Sequence, residues 1–313
     1  MNGRGYSGHY RPARNRRRRI SAAVISITLF LLLLVILFVL IGNILNGKTQ
    51  GGSEPTKTDK PPVTDVKPAP ASIVGMALDI EGSASSQISN NISRIAQNGG
   101  KAISVNVRGS DSKLLYSSEV ARRFGFQSGS GLSGIDTIVT RAQSRGLYVS
   151  AYIELESMSE KNPNVRAAML GYEAALVGEM CASGVGDVMI YAPDTTFENY
   201  SELVRLAENV KAANPSAVIG VALKPSFFSE PNAAFVIDEL FAVYDQIGMD
   251  LTSLSGEDKA AEISSSLSSQ LYYILRYNMR VVLKSTEDKD LAESINKALA
   301  ENSVTNVQYV TVH

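Results

Sequence analysis

The chain predicts an α/β fold of the (β/α)8 TIM barrel type that lacks its last helix, and three observations carry that prediction. Eight short runs rich in β-branched residues recur between residues 72 and 312. Seven longer segments with apolar residues at i, i+3, i+4 and i+7 separate them. Each parallel strand needs a right-handed crossover before the next, so eight strands with seven intervening helices match a closed barrel. The third observation is an absence: "DIEGSASSQ", which leads out of the first run, carries no GxGxxG phosphate loop of the doubly wound alternative.

Three segments of different character precede the barrel. Residues 1–19 hold seven arginines (Arg4, Arg11, Arg14, Arg16, Arg17, Arg18, Arg19) and no acid. Ile20 to Ile41 then runs without a charge. A span of about 20 apolar residues matches the hydrocarbon thickness, whereas a cleavable signal peptide has an apolar region of roughly 7 to 15. No small-x-small cleavage pattern follows in "NILNGKTQ", so a retained transmembrane helix is expected over residues 20–46. Arginines crowd its N-terminal flank, which makes residues 1–19 a basic cytoplasmic tail and places the C-terminal domain outside a single-pass cell-membrane anchor. The arginine run reads as a topology signal with attraction for anionic lipid, not as a nucleic-acid site.

Residues 47–71, "GKTQGGSEPTKTDKPPVTDVKPAPA", have almost nothing to bury and read as a flexible Pro/Gly/Thr/Lys linker. Beyond it, residues 72–313 carry 28 acids against 19 bases, an excess that disfavours a polyanionic partner. Cys181 is the only cysteine, so no internal disulfide can form and stability must come from burial.

The barrel elements follow in order. The strands are read at 72 to 80, 102 to 107, 147 to 155, 187 to 191, 217 to 223, 246 to 251, 280 to 285 and 307 to 312. The helices are read at Ser86 to Gln97, Ile135 to Arg145, Gly171 to Ala182, Phe197 to Ala213, Ala233 to Tyr244, Asp258 to Tyr277 and Lys289 to Glu301. Breakers agree: "NGG" closes the first helix, "RG" the second, "SGVG" the third and "NP" the fourth. The second connection, Gly109 to Gly134, is longer than the rest and predicts a small β excursion, a short helix at Ser118 to Phe124 and a Gly/Ser loop.

Strand alternation assigns the residues that face the barrel interior, and the last inward residue of each strand lines the C-terminal mouth. The expected rim is Asp79, Arg108, Glu154, Tyr191, Lys224, Asp250 and Lys284, with Tyr152 below Glu154 and with Glu156 and Asp194 just beyond their strand ends. In the eighth strand the parity is open; if Tyr309 and Thr311 point inward, so does His313. Tyr116, Tyr148, Tyr152, Tyr191, Tyr200 and Phe126 are candidates for a sugar-stacking platform or for ordinary packing.

Other chemistries find little support. His9 and His313 are the only histidines, which leaves neither a metal cluster nor a Ser/His/Asp triad in prospect; no metal and no cofactor is expected. Lys224 and Lys284 raise a Schiff-base possibility, but Asp250 is expected between them and would keep both protonated.

The order "NGGKAISVNVRGSDSKLLY", "RGLYVSAYIEL", "GYEAALVGEMCASGVGDVMIY" resembles a bacterial glycoside-hydrolase-like TIM-barrel family, distantly α-amylase-like. The resemblance implies a strand-three Arg, a strand-four Asp nucleophile and a strand-five Glu acid/base. Here Tyr152, Tyr191 and Lys224 stand at those places, so the chain looks degenerate at the catalytic positions. The expected function is binding of a glycan or a cell-envelope partner through Arg108, Tyr152, Tyr191, Asp194, Lys224, Asp250 and Lys284. The first alternative is an active glycosidase using Glu154 with Asp79 or Glu156, one carboxyl protonated and one ionised; retention needs about 5 to 5.5 Å between them and inversion about 6.5 to 9.5 Å, and these pairs suit the wider limit. Arg108 between Glu154 and Asp79 would pull both pKa values down and so oppose it. A structural protein-interaction scaffold is the second alternative.

Overall fold

The computed structural model describes residues 73–311 apart from 110, 130, 131 and 255–258. The basic tail, the expected transmembrane helix, the linker and His313 lie outside the described residues, among which no helix is long and apolar enough to cross a membrane.

Eight strands are described: β1 (Val74–Leu78), β2 (Ala102–Asn106), β3 (Tyr148–Glu154), β4 (Asp187–Tyr191), β5 (Ile219–Leu223), β6 (Gln246–Asp250), β7 (Arg280–Lys284) and β8 (Val307–Val310). Between them lie α1 (Ser85–Gln97), α2 (Glu119–Phe124), α3 (Asp136–Gln143), α4 (Pro163–Ala182), α5 (Tyr200–Ala213), α6 (Ala233–Val243), α7 (Lys259–Ser269), α8 (Leu271–Tyr277) and α9 (Lys289–Glu301). Each strand pairs in parallel with the next, and β1 closes on β8 through Val74↔Val307 and Gly75↔Gln308. The chain therefore folds as a closed (β/α)8 barrel.

Strand parity sorts the side chains into two cores. Ile103, Val105, Ile153, Val188, Ile190, Val221, Ile247 and Val281 point outward, fully buried beneath the helices. Inside the barrel, Tyr152, Met189, Tyr191, Ala222, Val282 and Val310 form a second, smaller cluster. Met189 fits because Gly220 and Gly248 face it. A Cβ at Gly220 would lie 2.7 Å from the Met189 Cε, and one at Gly248 would lie 3.1 Å from the Arg280 carbonyl oxygen.

At the N-terminal end the interior is plugged by a polar cluster. Arg280 sits 2.7 Å from Asp187 and donates from Nη1 to Ser150 Oγ at 3.2 Å and to Gln308 Oε1 at 3.3 Å. Its Nε donates to Asn306 Oδ1 at 3.2 Å, while Gln308 donates to Ser104 Oγ at 2.8 Å. A buried guanidinium persists only when paired and hydrogen-bonded in this way. This network also settles the eighth strand: Gln308 and Val310 face inward, while Tyr309 points to the helices and donates to Asn296 Oδ1 at 3.1 Å.

Three helix boundaries differ from the sequence reading by more than two residues. Helix α4 starts at Pro163, eight residues before Gly171, because Asn162 caps it by accepting from the amides of Asn164 and Val165 and Pro163 takes the first turn. The segment read as one helix from Asp258 to Tyr277 divides at Gln270 into α7 and α8. Helix α5 begins at Tyr200, not Phe197, since Thr196 to Asn199 form a turn in which Asn199 Oδ1 accepts from the Thr196 amide at 2.7 Å.

Among the described residues no helix follows β8. Val74 and Met76 face outward like their counterparts in other strands, yet they are 52% and 44% exposed. An open groove of about 1200 Å³ runs over them between α1 and α9.

Candidate functional site

The C-terminal strand ends bring most of the expected rim residues to one mouth. Glu154 and Tyr191 are register partners on β3 and β4, Tyr191 pairs with Ala222 on β5, and Asp250 on β6 pairs with Val282 on β7. Lys224 and Lys284 close β5 and β7 and are both partly buried. Asp79, one residue beyond β1, is exposed and accepts the Glu81 amide at 3.0 Å; it also borders the groove beside β1.

Tyr152 and Tyr191 form the floor. Their rings stack with centroids 6.0 Å apart and are 2% and 5% exposed. Tyr116 is buried as well, and Tyr148 lies at the opposite end of β3, where Asp187 acts on it. Phe126 stacks at 4.1 Å on Tyr172 along α4. Tyr200 is partly buried against the outer core and Phe126 is 44% exposed, so the six aromatic candidates are dispersed and do not form one exposed sugar platform.

Asp250 lies at the mouth's deepest level, wholly buried, and accepts from Tyr152 Oη at 2.9 Å, Thr252 N at 2.9 Å and Thr252 Oγ1 at 2.6 Å. These donors, and not Lys224 or Lys284, are its close partners. Desolvation raises its pKa to about 6 against the pull of those bonds, and the Glu154 charge adds to the rise.

Arg108 is also placed differently from the expectation. Instead of bridging Glu154 and Asp79, its guanidinium lies 2.7 Å from Glu156 and 3.6 Å from Glu173, a buried acid on α4. Glu173 in turn accepts the Glu156 amide at 2.8 Å and the Ser157 amide and hydroxyl. With Arg108 engaged there, Glu154 stays at the exposed rim with a raised pKa. Desolvation is the main cause; Arg108 and Lys224 oppose it, while Asp194 and Glu156 add to it.

Asp194 and Lys224 pair loosely at 3.7 Å, both about half exposed. Beside them opens a cleft of about 460 Å³ between the β4 and β5 exits, lined by Thr195, Thr196, Phe197, Lys224, Phe227 and Glu230 among others. The Phe197 and Phe227 rings stack at 5.2 Å with planes 6° apart. Phe227 is only 5% exposed, so Phe197 is the ring that reaches a cleft of mixed polar and apolar lining, a size ordinary for a small organic ligand.

The excursion after β2 is clamped to the barrel by Glu179 of α4. Leu114 bridges to Arg108 and to Ser128, which is the small β element read from the sequence. Glu179 accepts from Tyr116 Oη, Ser118 Oγ and the amides of Glu119 and Val120, at 2.6 to 3.2 Å. Sequence reasoning singled out neither Glu173 nor Glu179, nor the Phe197–Phe227 wall. Both glutamates sit in an apolar helix pattern, "GYEAALVGEM", where an acid at a core-facing position was the available signal. Among the described residues no cluster of His, Cys, Asp and Glu could hold a metal ion.

No protein-family model and no curated protein matches the chain. Among solved structures it is similar to a hyperthermophilic endo-β-1,4-glucanase, with 12% identity over 72% of this chain and 82% of that one and a TM-score of 0.48. A sugar phosphate isomerase/epimerase from Parabacteroides distasonis shares 14% identity over 80% of this chain and 91% of that one, TM-score 0.45. A glycoside hydrolase family 5 protein from Bacteroides vulgatus shares 11% over 72% and 54%, TM-score 0.45. Likenesses this slight assign no site, and the barrel rests on its closed strand pairing.

Proposed function

We propose that this chain is a membrane-anchored, extracytoplasmic barrel of glycoside-hydrolase-like architecture that binds a glycan, or a cell-envelope component bearing one, at its mouth without cleaving it. The observation that carries this reading is the division of the mouth carboxyls. Asp250 is sealed beneath Tyr152, Glu156 is engaged by Arg108, and Asp194 by Lys224, while Glu154 makes no ion pair among the described residues. Hydrolysis needs a protonated and an ionised carboxyl on opposite sides of one bond. Tyr191 stands on β4 and Lys224 follows β5, where such a pair would be completed in the family the sequence resembles. What remains reachable is a set of donors and acceptors in the cleft, Lys224, Thr195, Thr196 and Glu230, beside the partly buried Phe197 ring, with Asp194 paired to Lys224 and Glu154 exposed at the rim, which suits hydroxyl recognition.

One observation favours a second reading, an active glycosidase: the raised pKa of Glu154 is the state a general acid requires, and Asp194 is near enough to act on it. Titration calorimetry of the full chain in detergent with peptidoglycan fragments and with α- and β-glucans, alongside a reducing-end assay, separates the two. Saturable binding weakened at least about tenfold by Lys224→Ala, with no release of reducing ends, is the expected result. Hydrolysis that Glu154→Gln abolishes establishes the second reading, and absence of binding to every glycan overturns both.

A further inference from the structure

Helix α6, "AAFVIDELFAV", is apolar on both its sides. Val236, Ile237 and Leu240 are buried against the barrel, yet Phe235 and Phe241 on the outer side are 62% and 44% exposed. An ordinary surface helix turns polar residues outward, and a helix that is apolar all round is one whose outer side is also covered. Helix α8 beside it repeats the pattern: Ile274 and Tyr277 are buried, while Tyr272 and Leu275 are each 60% exposed.

The two helices share one continuous face. Arg276 donates to both oxygens of Asp238 at 3.0 and 3.2 Å, and Phe241 packs on Tyr277 with centroids 5.4 Å apart. The same guanidinium lies 5.0 Å from the Tyr277 ring and 5.8 Å from the Tyr272 ring, and donates to the Tyr272 hydroxyl at 2.6 Å. Exposed rings thus surround a fixed ion pair. Single exposed apolar side chains are common on any surface, but a contiguous patch marks an interaction site, and aromatic rings with arginine are the side chains enriched at interface cores. Two features select the occupant. Asp238 and Arg276 are one charge of each sign side by side, so a two-fold rotation near them sets each opposite its complement, as an isologous contact requires. Glu239, the other acid of α6, bonds to Tyr200 on α5. Area agrees: at 150–250 Å² per aromatic side chain, the exposed parts of the four residues come to roughly 400 Å². With the usual apolar share of about 57%, the whole contact is about 700 Å² per copy, close to the ~800 Å² of a stable dimer.

We propose that the α6–α8 face is a self-association surface, on which a second copy of this chain packs about a two-fold axis near the Asp238–Arg276 pair. Phe235, Phe241, Tyr272 and Leu275 of one copy then lose solvent against the same residues of the other, and each Arg276 gains a second carboxylate. Helices α6 and α8 belong to the outer ring of the barrel, so both C-terminal mouths stay open in the pair. The contact depends neither on a membrane anchor nor on glycan binding.

The test uses the full chain in detergent micelles. Leu275→benzoylphenylalanine, irradiated in a mixture of isotopically light and heavy chains, should give light–heavy adducts on α6 or α8, and Lys297→benzoylphenylalanine on α9 should give none there. The wild-type unfolding midpoint should rise by about 2 °C for each tenfold increase in chain concentration. Phe235→Asp with Tyr272→Asp should abolish both effects and match the wild type's midpoint at its lowest concentration. Both positions lie in the first turn of their helices, where an acid suits the dipole, and a carboxylate at 272 still meets Arg276 four residues on, so the variant keeps its fold. Adducts confined to one chain, to detergent or to other elements, a wild-type midpoint indifferent to concentration, or association that survives the double variant each overturns the proposal, whatever the glycan assays return.

Discussion

Tyr152 donates its phenolic hydrogen to Asp250 across the interior, joining β3 to β6 at 2.9 Å and closing the barrel between its mouth and its polar plug. The bond holds a carboxyl that has lost all contact with solvent. Desolvation outweighs the three donors around it, so the proton is released near pH 6 and not near 4. That inversion makes the mouth's floor pH-sensitive.

The sign follows from counting protons. Between about pH 4 and pH 6 the native state keeps a proton on Asp250 that the unfolded chain has released, so stability falls as pH rises through this window and is level above it. A shift of about two units corresponds to about 3 kcal/mol. Glu154 and Glu173 are raised in the same direction, so the informative quantity is the difference between the wild type and Asp250→Asn. Urea unfolding from pH 4.5 to 8 should show a shallower downward slope in the variant than in the wild type, with the variant matching or exceeding the wild type at pH 7.5. An unchanged slope would remove Asp250 as its source.

At the other end, Arg280 and Asp187 lie 2.7 Å apart with almost no exposure, and Ser150, Gln308 and Asn306 complete the guanidinium's partners. Arg280→Met leaves an aspartate stranded in the barrel and is expected to cost about 3–5 kcal/mol in chemical denaturation. Adding Asp187→Leu should restore most of the loss, because the second change removes the uncompensated charge and refills the space. If the double variant is no better than the single one, the pair contributes through geometry and not through charge compensation.

These two interior layers mark how far the sequence could be read. Alternation in "DVMIY" and "AVIGVAL" placed Tyr191 inward and Lys224 at the strand exit, since a two-residue period is a local property of the pleat. Arg280 shares the inward parity of Val282 and Lys284, yet nothing local says that a basic residue opening β7 meets Asp187 opening β4. That contact spans the barrel and depends on closure. The same limit hid Glu173 beneath Arg108, because its three donors come from the segment after β3. Helix α4 escaped periodicity for another reason. It is apolar on several faces, so its start was carried by Asn162 and Pro163 and not by a stripe.

Glu179 supplies the last prediction, because one carboxylate organises the whole excursion after β2. Its two oxygens accept four hydrogen bonds from Tyr116, Ser118, Glu119 and Val120, and Ser118 in turn accepts the Ala121 amide at 3.0 Å as the cap of α2. Truncation to Ala leaves the first turn of α2 and the buried Tyr116 hydroxyl without their acceptor. Bonds to a charged group are worth about 1.5–3 kcal/mol each, but the freed backbone amides at this partly exposed site can turn to water. The expected loss is therefore about 2–4 kcal/mol for Glu179→Ala and about half that for Glu179→Gln, which keeps one acceptor oxygen. Hydrogen exchange should accelerate across residues 116–126 in both variants while β4 and β5 keep their protection. Uniform acceleration through the strands would show instead that Glu179 supports the barrel as a whole and that the excursion is no separate unit.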